Sequence, residues 1–272
     1  MHFTINTTIM SVNVHMEFAV EMTCDGCVDS VKEALHKKSV RVLSADVQKQ
    51  QILVESNLPF YEIQDIIETT GKRAALIGQG PSIGKRHLGA AVVEIANGPV
   101  KGVVRLLQMD EDNCLVEGTV DGLTPGKHGL NVHEYGDLSN GCLNCGEHFN
   151  PTGKNHGGRN ELERHVGDLG NIEAGANGRS VFRFLDEHLK VWDIIGRSMV
   201  IHADPDDLGK TAQQSSSVDG NSGPGIACAI IARSSGLLQN SKRFCTCDGI
   251  SIWDERYLPA AGKERSQFSQ KL

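Results

Sequence analysis

Gly129-Leu130-Asn131-Val132-His133-Glu134-Tyr135-Gly136-Asp137 opens the central stretch of the chain, where most of its metal-type side chains lie. Downstream follow His148-Phe149-Asn150-Pro151, His156-Gly157-Gly158, Arg164-His165-Val166-Gly167-Asp168-Leu169-Gly170-Asn171 and Gly196-Arg197-Ser198-Met199-Val200-Ile201-His202. Imidazoles joined by a carboxylate suit Zn(II) or Cu(II). Around them, residues 88–234 break into short β-rich runs at 91–95, 101–108, 114–120, 180–184 and 198–202, separated by glycine-rich turns. The stretch 134–178 reads as long and irregular, which a compact domain tolerates when a metal or a disulfide orders it. Short strands with long loops predict an all-β Greek-key sandwich or barrel.

Working outward, residues 14–80 read differently. Phe18, Val20 and Met22 alternate as in a half-buried strand, and Val28, Val31 and Leu35 are helically spaced. Residues 40–47 and 51–56 are β-rich; a second helix follows Leu58-Pro59 with Ile63, Ile66 and Ile67 on one face. Gly71 ends it and 74–77 make a last strand. The order βαββαβ is that of a ferredoxin-like α+β unit. Residues 78–84 read as a loop by composition, and 81–87 as the linker to the β-domain at 88–234. Residues 235–272 show no period and many charges, and are expected to form a mobile tail.

The thiols come in close pairs. Met22-Thr23-Cys24-Asp25-Gly26-Cys27 puts both sulfurs at the start of the first helix, where backbone N–H groups and the helix dipole favour thiolate. Two thiolates hold Cu(I) linearly and exchange it readily. A thioredoxin-like redox pair competes, but Asp25-Gly26 lacks its aromatic-proline surroundings and the element order is wrong. Cys245-Thr246-Cys247 is too tight for a relaxed local disulfide and suits two thiolates on one ion. Cys114 falls in a strand pattern as a small buried residue. Eight cysteines in a chain of 272 residues, mostly paired as CxxC and CxC, point to metal or redox chemistry in a cytosolic protein. MHFTINTTIM carries no basic segment followed by an apolar run, so no signal peptide is read. A net charge of -7 argues against nucleic acid as a partner, and no apolar run approaches the roughly 18 residues of a membrane span.

Met22-x-Cys24-x-x-Cys27 resembles the heavy-metal-associated domains of copper chaperones and copper ATPases. That resemblance implies copper on Cys24 and Cys27, with Lys72 offsetting the bis-thiolate charge. Residues 89–233 resemble Cu,Zn superoxide dismutase, on the motifs quoted above together with Asp206-Asp207-Leu208-Gly209-Lys210. From that family come a zinc set of His148, His156, His165 and Asp168, and Asp206 as the aspartate that links the two metal sites. Its copper set would be His133, His148 and His202, with Asn131 where the family has a fourth histidine. Gly225 stands where active enzymes carry an anion-guiding arginine. Both departures speak against dismutase turnover. Cys142 and Cys228 match the family's intrasubunit disulfide, which leaves Cys145 as a free thiol.

Taken together, residues 16–265 resemble the copper chaperones for Cu,Zn superoxide dismutase, the tail motif being Cys245-x-Cys247-Asp248-Gly249. The resemblance implies a Cu(I) metallochaperone with structural Zn(II). It would deliver copper to the dismutase as a heterodimer, promote its disulfide, and form a homodimer otherwise. Cys245 and Cys247 would carry out copper transfer and thiol exchange, and Tyr135, Gly136, Ile195 and Gly196 would lie at the docking surface. A membrane copper importer is the implied donor. The expected location is cytoplasmic, with minor mitochondrial intermembrane or nuclear pools. The alternatives are a dismutase-like enzyme with an attached copper module and a copper buffer without a client.

Overall fold

A computed structural model describes residues 12–81 and 88–239. The first unit runs β1 (Val14–Val20), α1 (Asp25–Lys37), β2 (Arg41–Asp46), β3 (Gln51–Ser56), α2 (Phe60–Glu68) and β4 (Ala74–Gly80). Its antiparallel sheet has the order β2-β3-β1-β4, the expected βαββαβ sandwich. The alternation in β1 explains the layering. Val14, Met16, Phe18 and Val20 point at Val28, Val31, Leu35, Ile63 and Ile67 of the helices, all buried. Each such aliphatic or aromatic side chain contributes about 1.5–3 kcal/mol. Met22 lies past the end of β1 and is buried beneath the thiol loop, a packing position.

The second unit holds β5 (Ala90–Asn97), β6 (Val100–Gln108), β7 (Cys114–Asp121), β8 (Gly126–His133), β9 (Ser139–Cys142), β10 (Asp168–Ala174), β11 (Ser180–Asp186), α3 (Val191–Ile194), β12 (Ser198–His202), α4 (Ser216–Asp219) and β13 (Gly225–Arg233). Eight of these strands close a barrel in the order β10-β11-β7-β6-β5-β13-β12-β8. The pairings of β7 with β11 and of β8 with β12 are Greek-key crossings, and closure leaves no open edge in this sheet. Val93, Val104, Leu106, Val116, Leu130 and Ile201 are among its core.

Three sequence expectations change. The irregular stretch is shorter than 134–178, because Asp168–Ala174 is barrel strand β10; its glycine and Asp168 disguise a strand paired to β8. Gly78, Gln79 and Gly80 belong to β4 rather than to a loop: glycine is kept there because another chain segment lies close against them. The tail does not begin free: Gly236 forms a parallel bridge to Gln79.

The two units share a buried polar contact. Gln79 Nε2 donates to Glu117 Oε1 at 2.5 Å, and Arg183 Nη1 donates to Glu117 Oε2 at 2.5 Å. Arg183 Nη2 also donates to Val12 O at 2.9 Å. The pairing matters because a buried carboxylate without partners costs several kcal/mol.

Candidate metal centres

Cys24 caps α1 and Cys27 sits in its first turn, so the helix itself sets their spacing. Their Sγ atoms are 3.1 Å apart, with Cys24 exposed and Cys27 buried. Hydrogen bonds from Cys24 and then Thr23 bring the Cys27 thiol down to about 6, so it is largely thiolate at neutral pH. Thr23 Oγ1 lies 3.7 Å from Cys27 Sγ. The sequence reading gave Thr23 no role. Lys72 is half-buried after α2, and among the described residues it has no hydrogen bond to either thiol.

In the barrel, His148, His156, His165 and Asp168 offer ligand atoms all within 4.8 Å of one another, and all four residues are buried. Asp168 Oδ2 is occupied by the backbone N–H of His165 at 2.8 Å and of Gly157 at 3.2 Å. Its Oδ1 faces three imidazole Nδ1 atoms, at 2.8 Å from His148, 3.0 Å from His156 and 3.3 Å from His165. The Nδ1 atoms of His156 and His165 are buried without a hydrogen bond of proper geometry. Three imidazole nitrogens converging on one carboxylate oxygen in a buried space fit tetrahedral Zn(II). Asp206 Oδ1 takes the Nε2–H of His156 at 2.7 Å, which turns the Nδ1 lone pair toward Asp168. Burial by itself lowers the His156 pKa, but the carboxylates of Asp168 and Asp206 on either side of the ring outweigh it and raise it to about 10.

His133, His148 and His202 form a second buried group. His133 Nδ1 donates to Gly146 O at 2.8 Å, and His202 Nδ1 donates to Gly223 O at 2.8 Å. A carbonyl only accepts, so each ring carries its proton on Nδ1 and presents a bare Nε2. Those two Nε2 atoms are 3.2 Å apart, and His148 Nε2 beside them has no partner. Burial, then the neighbouring His148, holds His133 down to about 3, and burial likewise lowers His202, so both stay neutral. Facing lone pairs at that distance call for a cation between them.

Asn131, two residues before His133 on β8, is fully buried, and neither its Oδ1 nor its Nδ2 has a partner among the described residues. Asp206 Oδ2 is equally unpartnered. The link from Asp206 thus reaches His156 alone. Gly225 is closed to a side chain: a Cβ there would lie 2.7 Å from Cys142 Cβ and 2.8 Å from Val200 Cγ1.

Cys142 and Cys228 are disulfide-bonded, tying the loop after β8 to β13. Cys145 is a free, buried thiol beside them, and Cys114 is free and buried in β7, its thiol pushed up by burial and then by Asp186. Tyr135, Gly136, Ile195, Gly196 and Arg197 line one surface hollow. Tyr135 is 53% and Ile195 39% exposed. Gly136 has no room for a Cβ, which would stand 2.1 Å from Gly196 O. Cys245 and Cys247 lie outside the described residues. Sequence reasoning missed Arg164, whose Nη2 pairs with both Asp186 oxygens at 2.8 and 2.7 Å while its Nη1 donates to Asp168 O at 2.5 Å. It fastens the zinc loop to β11; its only sequence signal was adjacency to His165.

Residues 100–231 match the family model described as copper/zinc superoxide dismutase. A crystal structure of the clock protein EA4 superposes with a TM-score of 0.52 at 38% identity, covering 55% of this chain and 97% of that one. These account for the barrel. The human copper chaperone for superoxide dismutase is 51% identical over 94% of this chain and 93% of its own length. The chain belongs to the copper chaperones for superoxide dismutase. The rice chloroplastic member of that family is 39% identical over 88% of this chain and 70% of its own length. The Cu-Zn superoxide dismutase of Onchocerca volvulus is 47% identical but covers only 52% of this chain. What separates this chain from a plain dismutase is therefore the first unit and the tail.

Proposed function

We propose that this chain carries copper to Cu,Zn superoxide dismutase. The observation that carries the reading is the pairing of an exposed two-thiol site at the start of α1 with a dismutase-like barrel whose copper side chains are incomplete at Asn131. Cys24 and Cys27 accept copper as Cu(I), since two soft thiolates favour that state. A membrane importer is the donor. The thiolate character of Cys27 lets it take the ion without first losing a proton. His148, His156, His165 and Asp168 hold Zn(II), which when bound anchors the loop between β9 and β10. The barrel then serves as a template: Tyr135, Gly136, Ile195 and Gly196 give the surface for a homodimer and, on exchange, for a heterodimer with the client. Cys245 and Cys247 receive Cu(I) and release it into the client's imidazole site, one set of metal–ligand bonds replacing another with no change of oxidation state. A tail thiolate also forms a mixed disulfide with one client cysteine, which the second client thiolate displaces. The two electrons lost there pass to an outside oxidant such as dioxygen. The location that suits this chemistry is the reducing cytoplasm.

The test mixes copper-loaded chain with metal-free, reduced dismutase in the presence of a Cu(I) chelator. Client activity and client disulfide are expected to rise together. Activity in the chain alone, or release of copper equally to any acceptor, would instead support a dismutase or a passive buffer.

A further inference from the structure

The point where the tail leaves the barrel is built with more care than a free tail needs. Ser234 N still donates to Ala90 O of β5 at 2.9 Å. Two residues later the chain has crossed to the first unit, where Gly236 bridges Gln79 in parallel on β4, the outer strand of that sheet. Leu238 N then donates to Glu17 Oε2 at 2.9 Å. Gly236 N is capped by Gln239 Oε1 at 3.0 Å. Glu17 projects from the face of β1 opposite the helices, yet only 3% of it is exposed. Burial raises its carboxyl above the usual range, and the Leu238 N–H pulls it back.

Two glycines make room for this. A Cβ on Gly78 would stand 2.9 Å from Gly236 O, and one on Gly80 would stand 3.0 Å from Leu237 Cβ. Gln79, between them, meets Gly236 through its backbone and the barrel's Glu117 through its side chain. First unit, barrel and tail root therefore meet at one residue.

We infer that Gly236–Leu238 is a clamped tail root, held on β4 by Glu17 and by the cleared surface of Gly78 and Gly80, and that this clamp fixes where the tail starts relative to the first thiol pair. Cys24 lies seven positions after Glu17, and Cys245 seven positions after Leu238. At roughly 3.5 Å per extended residue, seven steps span about 25 Å at most, so a tail that doubles back along β1 has the contour length to bring the two thiol pairs of one chain together. Tethered groups meet at an effective concentration set by the length of the tether, in the millimolar range for short flexible ones. Without the clamp the tether would run from the barrel at Ser234 and its start would no longer be fixed beside β1. The positioning role rests on the proposed function; the clamp itself does not.

Both halves can be read on the full-length, copper-free chain. Glu17→Ala removes the acceptor, and Gly80→Val drives a side chain into Leu237, the only residue an added Cβ there would meet within 4 Å among the described residues. In each variant the Leu238 amide is expected to exchange with deuterium at least tenfold faster than in the parent, while amides of β1 and β3 keep their protection. Cross-pair disulfides between Cys24 or Cys27 and Cys245 or Cys247, trapped with a mild thiol oxidant and counted by peptide mass spectrometry, are expected to form several-fold more slowly. Unchanged Leu238 exchange in both variants overturns the clamp. Faster exchange with unchanged cross-pair trapping overturns its positioning role. Neither readout involves copper or client, so a failed delivery assay leaves both outcomes interpretable.

Discussion

A single residue, Asn131, decides what the barrel's second metal group can do. Its amide is buried with both polar atoms idle, and the Asp206 Oδ2 is idle as well. A histidine at 131 would add a fourth nitrogen to His133, His148 and His202. Zinc-loaded Asn131→His is therefore expected to bind Cu(II) in the barrel, giving a visible and paramagnetic signature that the parent lacks under the same conditions. Identical spectra from the two would show that Asn131 is not the missing ligand position. Turnover should stay negligible in the variant, because Gly225 has no room for an arginine. Arg164 makes a second case. With 0% of it exposed and both Asp186 oxygens on its Nη2, its removal leaves a buried carboxylate served only by the N–H groups of His188 and Leu189. Arg164→Met is expected to cost about 3–5 kcal/mol in urea unfolding. A loss under about 1 kcal/mol would mean that water reaches Asp186 in its place. The metal side chains were legible in sequence because each sits in a distinctive run of neighbours. Arg164 and Thr23 were not, because an ordinary arginine or threonine acquires a role only through what the fold brings beside it.

At the scale of elements, the loop between β9 and β10 is the part that depends on metal. It contains little regular structure beyond the short turn Leu143–Cys145, and its own ligands His148, His156 and His165 converge on Asp168 at the first residue of β10. One end is tied by the Cys142–Cys228 disulfide and the other by Arg164 on Asp186. Zinc bound at 100 to 1,000 times its dissociation constant adds about 3–4 kcal/mol, which for a domain of this size is on the order of 10 °C in melting temperature. Chelation, or Asp168→Ala, is expected to lower the melting temperature by that amount and to expose 146–167 to protease, while the β5–β7 meander stays protected. An unchanged cleavage pattern would leave the loop ordered without metal. The same contrast explains what sequence periodicity could deliver. Strands β5, β6 and β7 alternate or run apolar and were visible. Strand β10 begins with a ligand and a glycine, so its pattern was that of a loop, and only pairing with β8 makes it a strand. Likewise Gly78-Gln79-Gly80 has loop composition because the tail root lies on it, a long-range fact that no local pattern contains.

For the whole molecule, assembly and delivery are separable. The hollow around Tyr135, Gly136, Ile195 and Gly196 is the proposed docking surface, and the structure indicates which residue to change there. Gly196 has φ +87, so any side chain would strain the loop, whereas Ile195 is 39% exposed and free of that complication. Ile195→Glu is expected to weaken both the homodimer and the complex with dismutase in sedimentation, with no loss of melting temperature. The two thiol pairs then divide the remaining work. Cys24 and Cys27 are fixed by α1, with Sγ atoms 3.1 Å apart, so they form a ready site on a folded unit too bulky to enter a client's copper pocket. Cys245 and Cys247 follow the proposed clamp at Leu238 by seven and nine positions of chain. Cys24→Ser with Cys27→Ser is expected to impair activation chiefly when copper is scarce, since free Cu(I) can still load the tail. Cys245→Ser with Cys247→Ser is expected to leave docking intact and to abolish activation at any copper level. Client activity measured across a copper titration separates the two, because the first variant recovers as copper rises and the second does not. A tail variant that recovers as well would mean that the first unit hands copper to the client directly, and the tail would then have no part in transfer.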